Sequence, residues 1–158
     1  MPDSSRDPDH PGVVAKPPTL TLAAFGIGCA LELAWPTHVP GGWPRALAGV
    51  ALVAAGVAGI AAAMRAFRAA GTNVETDRPS ETIVTTGLYA RSRNPIYVSM
   101  GVILAGLGLA LDSSWVLAMV VPLVLVLRIG VIAREERYLS RKFGEPYRAY
   151  TAAVRRWL

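Results

Sequence analysis

Apolar and polar positions alternate along this chain in long blocks rather than in short periods. Four apolar stretches stand out, from Thr19 to Trp35, Arg45 to Met64, Ile96 to Leu111 and Trp115 to Ala133. A helix needs about 20 apolar residues to cross a bilayer, with a lower limit near 17. The second and fourth stretches meet this, and the first and third need flanking residues to complete them. A helix buried in a soluble bundle keeps a polar stripe, whereas the second and fourth stretches are apolar nearly all round. The pattern predicts an all-α integral membrane protein of about four transmembrane helices, the last two forming a helical hairpin.

Turn chemistry separates the blocks. Trp35 to Gly42 is rich in Pro and Gly and reads as a turn. Asp112-Ser113-Ser114 makes a tight link with an N-cap for the fourth helix. Asn94-Pro95 opens the third helix, with Pro95 in the first turn where its missing N–H costs nothing. Pro122 predicts a kink in the fourth. Glycines at positions such as Gly49, Gly56, Gly106 and Gly108 predict close helix approach in lipid. Residues 1–17, rich in Pro, Asp and Ser, read as a flexible tail with His10 in solvent and no signal-peptide pattern. Residues 18–158 form one domain, with two spans in 18–64 and a long polar loop, the hairpin and a C-terminal helix in 65–158.

Composition supports the membrane reading, with 53% hydrophobic residues among 158. The 16 Lys and Arg against 11 Asp and Glu leave a net charge of +5. That charge gathers on one side, in Arg65, Arg68, Arg78, Arg91 and Arg93 and again from Arg134 to Arg156. The positive-inside rule then places both termini and the middle loop in the cytoplasm. Basic clusters beside apolar spans favour anionic lipid headgroups over nucleic acid. The single cysteine, Cys29, excludes a disulfide framework and a cysteine-based zinc site within one chain, and no metal is expected.

Polar groups in an apolar solvent mark candidate chemistry. Glu32 and Arg128 lie inside spans. Glu32, close to a span end, either reaches the interface or serves as a base for an amine acceptor. Arg128 stands two helical turns before Glu135, so an unbroken helix puts both on one face. There it would either hold a carboxylate through a bidentate pair or snorkel to the interface. Adjacent Glu135 and Glu136 point in different directions, so one faces a site and the other sits among Arg134, Arg137 and Arg141. The loop from Gly71 to Pro95 is the longest polar stretch, and Thr82 to Thr86 reads as an extended piece ended by Gly87.

These residues resemble a known family. Glu81-Thr82-Ile83-Val84-Thr85-Thr86-Gly87-Leu88-Tyr89, then Arg93-Asn94-Pro95-Ile96-Tyr97, Glu135-Glu136 and Phe143-Gly144-Glu145-Pro146-Tyr147 are similar, in this order, to the isoprenylcysteine carboxyl methyltransferase family. That superfamily includes the membrane phospholipid N-methyltransferases. The resemblance runs from about Gly71 to Leu158. It implies S-adenosylmethionine as methyl donor, bound between the cytosolic middle loop, the helical hairpin and the C-terminal helix. Implied cofactor contacts are Glu81, Thr82, Ile83, Val84, Tyr89, Asn94, Pro95, Ile96, Tyr97 and Glu135. Three positions depart from the family. Asn94 replaces its His, Ser99 replaces a Gly, and Val131 stands where an Arg contacts substrate. Arg128 or Arg134 would substitute for that Arg, and Asn94, Arg128 and Arg134 form the implied catalytic set.

The implied activity is methyl transfer to a lipophilic acceptor, with isoprenylcysteine-type carboxyl O-methylation first and phospholipid N-methylation second. An Ala-, Gly- and Arg-rich composition suggests a bacterial inner-membrane protein, for which a lipid or prenyl-like metabolite is the expected acceptor. Two rivals are an NADPH-dependent membrane reductase and a non-enzymatic four-span protein. The reductases are much longer, and a transporter needs polar groups across the bilayer rather than at one face.

Overall fold

The computed structural model describes residues 15–71 and 82–158; Glu81, Arg78, His10 and most of the expected N-terminal tail lie outside them. All regular structure among the described residues is helical. Helix α1 spans Pro17–Ala34, α2 Gly42–Ala69, α3 Pro95–Ala110, α4 Ser114–Phe143 and α5 Glu145–Ala153. A 3-10 turn, Gly87–Ala90, precedes α3. Three helices, α1, α2 and α4, are long and apolar enough to cross a membrane. The 16 residues of α3 rise about 24 Å, short of the roughly 30 Å hydrocarbon core. Its shortness is matched by its position, since α3 is packed against α2 and α4 and buries Ser99, Gly101, Gly106 and Gly108.

Glycine sets the closest seam. A Cβ on Gly106 would lie 2.7 Å from the Gly49 carbonyl oxygen and 2.8 Å from the Val53 nitrogen. Backbones of α2 and α3 therefore touch, which is how helices gain contact in lipid. Gly108 does the same against Leu117 of α4, where a Cβ would stand 2.7 Å from the backbone nitrogen. Gly106-Leu107-Gly108 is thus a packing element. Leu104, Val116, Leu127, Val131 and Ile132 complete the core.

Two irregularities divide α4. Its helical run stops at Met119, because Pro122 has no N–H for the Ala118 carbonyl and its ring crowds that group. From Leu127 to Ile132 the backbone adopts a π-helical register. An i→i+5 turn takes up one additional residue, a rotation of about 100° at 3.6 residues per turn. The expected shared face of Arg128 and Glu135 is lost here: Arg128 is exposed, while Leu127, Val131 and Ile132 are wholly buried.

At the end of the molecule that holds the two short links, Glu32 is fully engaged. It accepts from the Thr37 amide, from the Thr37 hydroxyl at 2.8 Å and from the Ser113 hydroxyl. Ser113 also caps α4, accepting from the Val116 amide at 3.1 Å. Asp112 binds the Val39 amide at 2.8 Å, His38 at 3.0 Å and Arg45 at 3.4 Å. Glu32 therefore ties α1 to the α3–α4 link, and the alternative of a base at the acceptor site is corrected by its place at the opposite end from Glu135.

Candidate functional site

The other end gathers the motif residues. Pro95 occupies the first turn of α3, as its fixed φ favours, and Asn94 stands at the N-cap. Asn94 does not cap with its side chain. Its Nδ2 instead donates to the Arg156 carbonyl at 2.9 Å, across 62 residues of sequence. The Arg93 amide donates to the Arg155 carbonyl at 3.0 Å. Residues 154–158 are in this way strapped over the start of α3.

Glu135 and Glu136 part company. Glu135 accepts from the Tyr97 hydroxyl at 2.6 Å. Glu136 pairs with Arg156 at 2.6 Å and with Arg93 at 3.2 Å. The expectation that one glutamate faces inward and the other outward holds for Glu135. Its neighbour is corrected, since the partners of Glu136 are Arg93 and Arg156 rather than Arg134, Arg137 and Arg141. Arg93 and Arg156 are charges from distant segments, invisible to any local spacing rule. Among the described residues the Tyr97 hydroxyl is the partner of Glu135, and no cation pairs with it.

The loop before α3 packs on the end of α2. Val84 and Tyr89 are buried against Ala63, with Ala66, Phe67 and Ile96 around them. Phe67 meets the Tyr89 ring edge-on at 5.2 Å, a favoured aromatic geometry. Thr82 is exposed and Ile83 half-buried, and the segment from Thr82 to Thr86 joins no sheet. Helix α5 reaches this loop because Gly144 adopts φ +58°, a turn that side chains disfavour, and Pro146 restarts the helix. Tyr150 then donates to the Tyr89 carbonyl at 2.8 Å.

Burial, reinforced by the Glu135 charge, pushes the Tyr89 phenol well above its usual range. Burial likewise raises Tyr147 to about 12, with Glu136 adding to it, and Tyr150 to about 12 against the pull of Arg93. All three stay neutral hydroxyls at physiological pH.

Among the expected site residues, the structure brings together Asn94, Pro95, Ile96, Tyr97, Tyr89, Val84 and Glu135. Arg128 and Arg134 stand on the exposed side of α4. Val131, at the position of the family's Arg, is wholly buried. Sequence reasoning missed Arg93 as a structural hub and Trp157 altogether. Trp157 packs against the core and, with Tyr97, lines an apolar groove between α3 and α4 of about 470 Å³.

This donor set suits a ligand that carries both a cationic and an anionic group. Among the described residues no cation pairs with the Glu135 carboxyl, and the buried Nε of Arg93 has no hydrogen-bond partner. Around them stand the aromatic and apolar surfaces of Tyr89, Tyr97 and Ile96. Among the described residues no cluster of His, Cys, Asp and Glu could hold a metal ion.

Comparison with known proteins supplies an independent view. The phospholipid methyltransferase family matches residues 44–146, well over half of the chain. An uncharacterized protein of Haemophilus influenzae is 44% identical over 63 residues, which cover 40% of this chain and 100% of that protein. No solved structure matches the chain.

Proposed function

Because the chain belongs to the phospholipid methyltransferase family, a family of membrane methyltransferases, we propose that it is an S-adenosylmethionine-dependent enzyme that methylates a lipophilic acceptor. Isoprenylcysteine-type carboxyl O-methylation is the reaction we favour, ahead of phospholipid N-methylation. The observation that carries the reading is the Tyr97–Glu135 pair, a carboxyl with no cationic partner among the described residues, beside an apolar groove that Tyr97 lines.

When bound, S-adenosylmethionine supplies a methyl on a sulfonium, which passes to the acceptor oxygen or nitrogen while the carbon–sulfur bond breaks to leave a neutral thioether. Glu135, oriented by the Tyr97 hydroxyl, holds the donor's α-ammonium. Arg93 presents its N–H to the donor's carboxylate. Tyr89, Tyr97 and Ile96 pack on its apolar parts, and an aromatic face also favours a sulfonium charge. Exposed Thr82 and the backbone of Ile83 and Val84 serve the adenine edge, with Glu81 beside them in sequence. Asn94 and Pro95 set the start of α3 on which Tyr97 rides. Such a transfer needs alignment and dryness more than proton transfer, so positioning supplies most of the rate.

A carboxylate acceptor is already ionised and needs a cation to aim it, the role we assign to Arg134, with Arg128 further along α4. An amine acceptor needs a base. The preference for the carboxylate rests on the motif similarity to the isoprenylcysteine carboxyl methyltransferases. The basic end lies in the cytoplasm under this proposal, in the inner membrane of a bacterium.

Calorimetric titration of the detergent-purified protein with S-adenosylhomocysteine tests the assignment, wild type beside Glu135→Gln. A charged hydrogen bond contributes about 1.5–3 kcal/mol, so the variant should bind roughly 10- to 150-fold more weakly. Unchanged affinity in a folded variant would remove Glu135 from the site.

A further inference from the structure

The α3–α4 groove has walls of unusual simplicity. On α3, Tyr97, Gly101 and Ala105 follow one another a turn apart, and on α4 Val120 and Val124 face them. A Cβ added at Gly101 would meet nothing within 4 Å, so the groove is open where that side chain is missing. Among these five residues the one polar side-chain group is the Tyr97 hydroxyl, and it is turned to Glu135. From Tyr97 to Ala105 the wall rises about 12 Å, the length of roughly ten carbons in an extended chain. Beyond that hydroxyl the lining adds one side-chain donor, the Trp157 indole N–H, so a surface otherwise of aliphatic groups selects a hydrocarbon, and its polar end adjoins the carboxylate cluster.

Within a bilayer, burial of a hydrocarbon chain gives little affinity, because lipid tails are as apolar as the groove. What a groove can do there is discriminate by shape. Its remaining wall is Trp157, borne on the 154–158 strap. The strap is fastened by Asn94 to the Arg156 carbonyl, by the Arg93 amide to the Arg155 carbonyl, and by Arg156 to Glu136. These fastenings belong to the polar cluster itself, so the chain wall and the head site share one support.

Resting on the methyltransferase reading, we propose that one hydrocarbon chain of the acceptor lies in this groove and that Trp157 is the specificity-determining residue that selects it. Asn94 acts as a positioning residue, holding Trp157 in place. The acceptor class is a single-chain amphiphile, or one chain of a larger lipid, with its nucleophile beside Tyr97 and Glu135.

The test reads occupancy without any methyl transfer. The chain has 4 Trp, at positions 35, 43, 115 and 157. Replacing Trp35, Trp43 and Trp115 by Phe leaves Trp157 as the reporter in the full-length protein. Dibromostearate titrated into the detergent-solubilised protein should quench it saturably. Gly101→Leu, whose Cβ meets nothing within 4 Å, should raise the half-saturation point at least tenfold. Unbrominated carboxylates of eight to twenty carbons, straight and branched, then compete for the groove. The Trp157 reporter should rank them steeply, and Asn94→Ala should flatten that ranking. Quenching that grows linearly with dibromostearate and ignores Gly101→Leu would overturn the groove. A ranking unchanged by Asn94→Ala would overturn the role of the strap. Loss of S-adenosylhomocysteine binding in wild type would instead count against the methyltransferase reading, and leaves the quenching outcome to decide the groove.

Discussion

Replacing Asn94 by alanine should loosen the strap while leaving the four long helices folded. Asn94 is 8% exposed, and its side chain makes one bond distant in sequence, from Nδ2 to the Arg156 carbonyl at 2.9 Å. Leaving a buried acceptor unpaired costs about 1–3 kcal/mol. Arg156 is only half-buried, so water can reach its carbonyl on opening and the lower half of that range applies. At about 1–2 kcal/mol the local opening constant rises roughly 5- to 30-fold. The Arg93 amide reports it, because its acceptor is the Arg155 carbonyl on the strap. Hydrogen-exchange mass spectrometry in detergent should show faster exchange in the peptide around Arg93, with α2 unchanged. Unaltered exchange at Arg93 would refute the claim that Asn94 fastens the strap. Acceleration spread over every helix would refute the claim that the effect is local.

Other expectations follow from the same geometry. Gly106→Ala places a Cβ 2.7 Å from the Gly49 carbonyl oxygen, and overpacking of this kind costs about 1–3 kcal/mol. Gly101→Ala has free space, and should hold or raise the melting temperature in mild detergent; equal losses in both variants would sink the seam argument. Hydrogen bonds from His38 and the Val39 amide, with the nearby Arg45 charge, hold the Asp112 carboxyl below the usual aspartate range. A depressed folded-state value means that its stabilisation is present above that range and is lost as pH falls through the folded value, in a window below about pH 4. Acid titration followed by the fluorescence of Trp115, with Asp112→Asn as the variant lacking the transition, checks the sign.

Much of the fold was legible because its signals are local. Pro95 in the first turn of α3, Ser113 at the cap of α4 and Pro122 at the α4 break each act through neighbours a few residues away. Apolar block length marked the helices, with α3 the shorter one of 16 residues. The π register at Leu127–Ile132 left no comparable mark, so a seven-residue spacing joined Arg128 to Glu135 on paper and not in space. Glu32 was ambiguous for another reason. Its partners, Thr37 and Ser113, arrive from two separate links, and only tertiary contact decides between a satisfied acid and a reactive one. The same holds for Glu136, whose cations lie 43 residues before it and 20 after it in sequence.

The interruptions of α4 also divide the molecule mechanically. Between the break at Met119 and the π register lies a seven-residue panel, Val120–Val126, with an irregular joint at either edge. Opposite it, α2 and α3 are locked backbone to backbone at Gly49 and Gly106, and any separation there forfeits contact along the whole seam. Compliance is therefore concentrated in one wall of the groove and stiffness in the other. A bulkier chain would be accommodated by tilting the panel that carries Val120 and Val124, while Tyr97 and the carboxylate it orients keep their register.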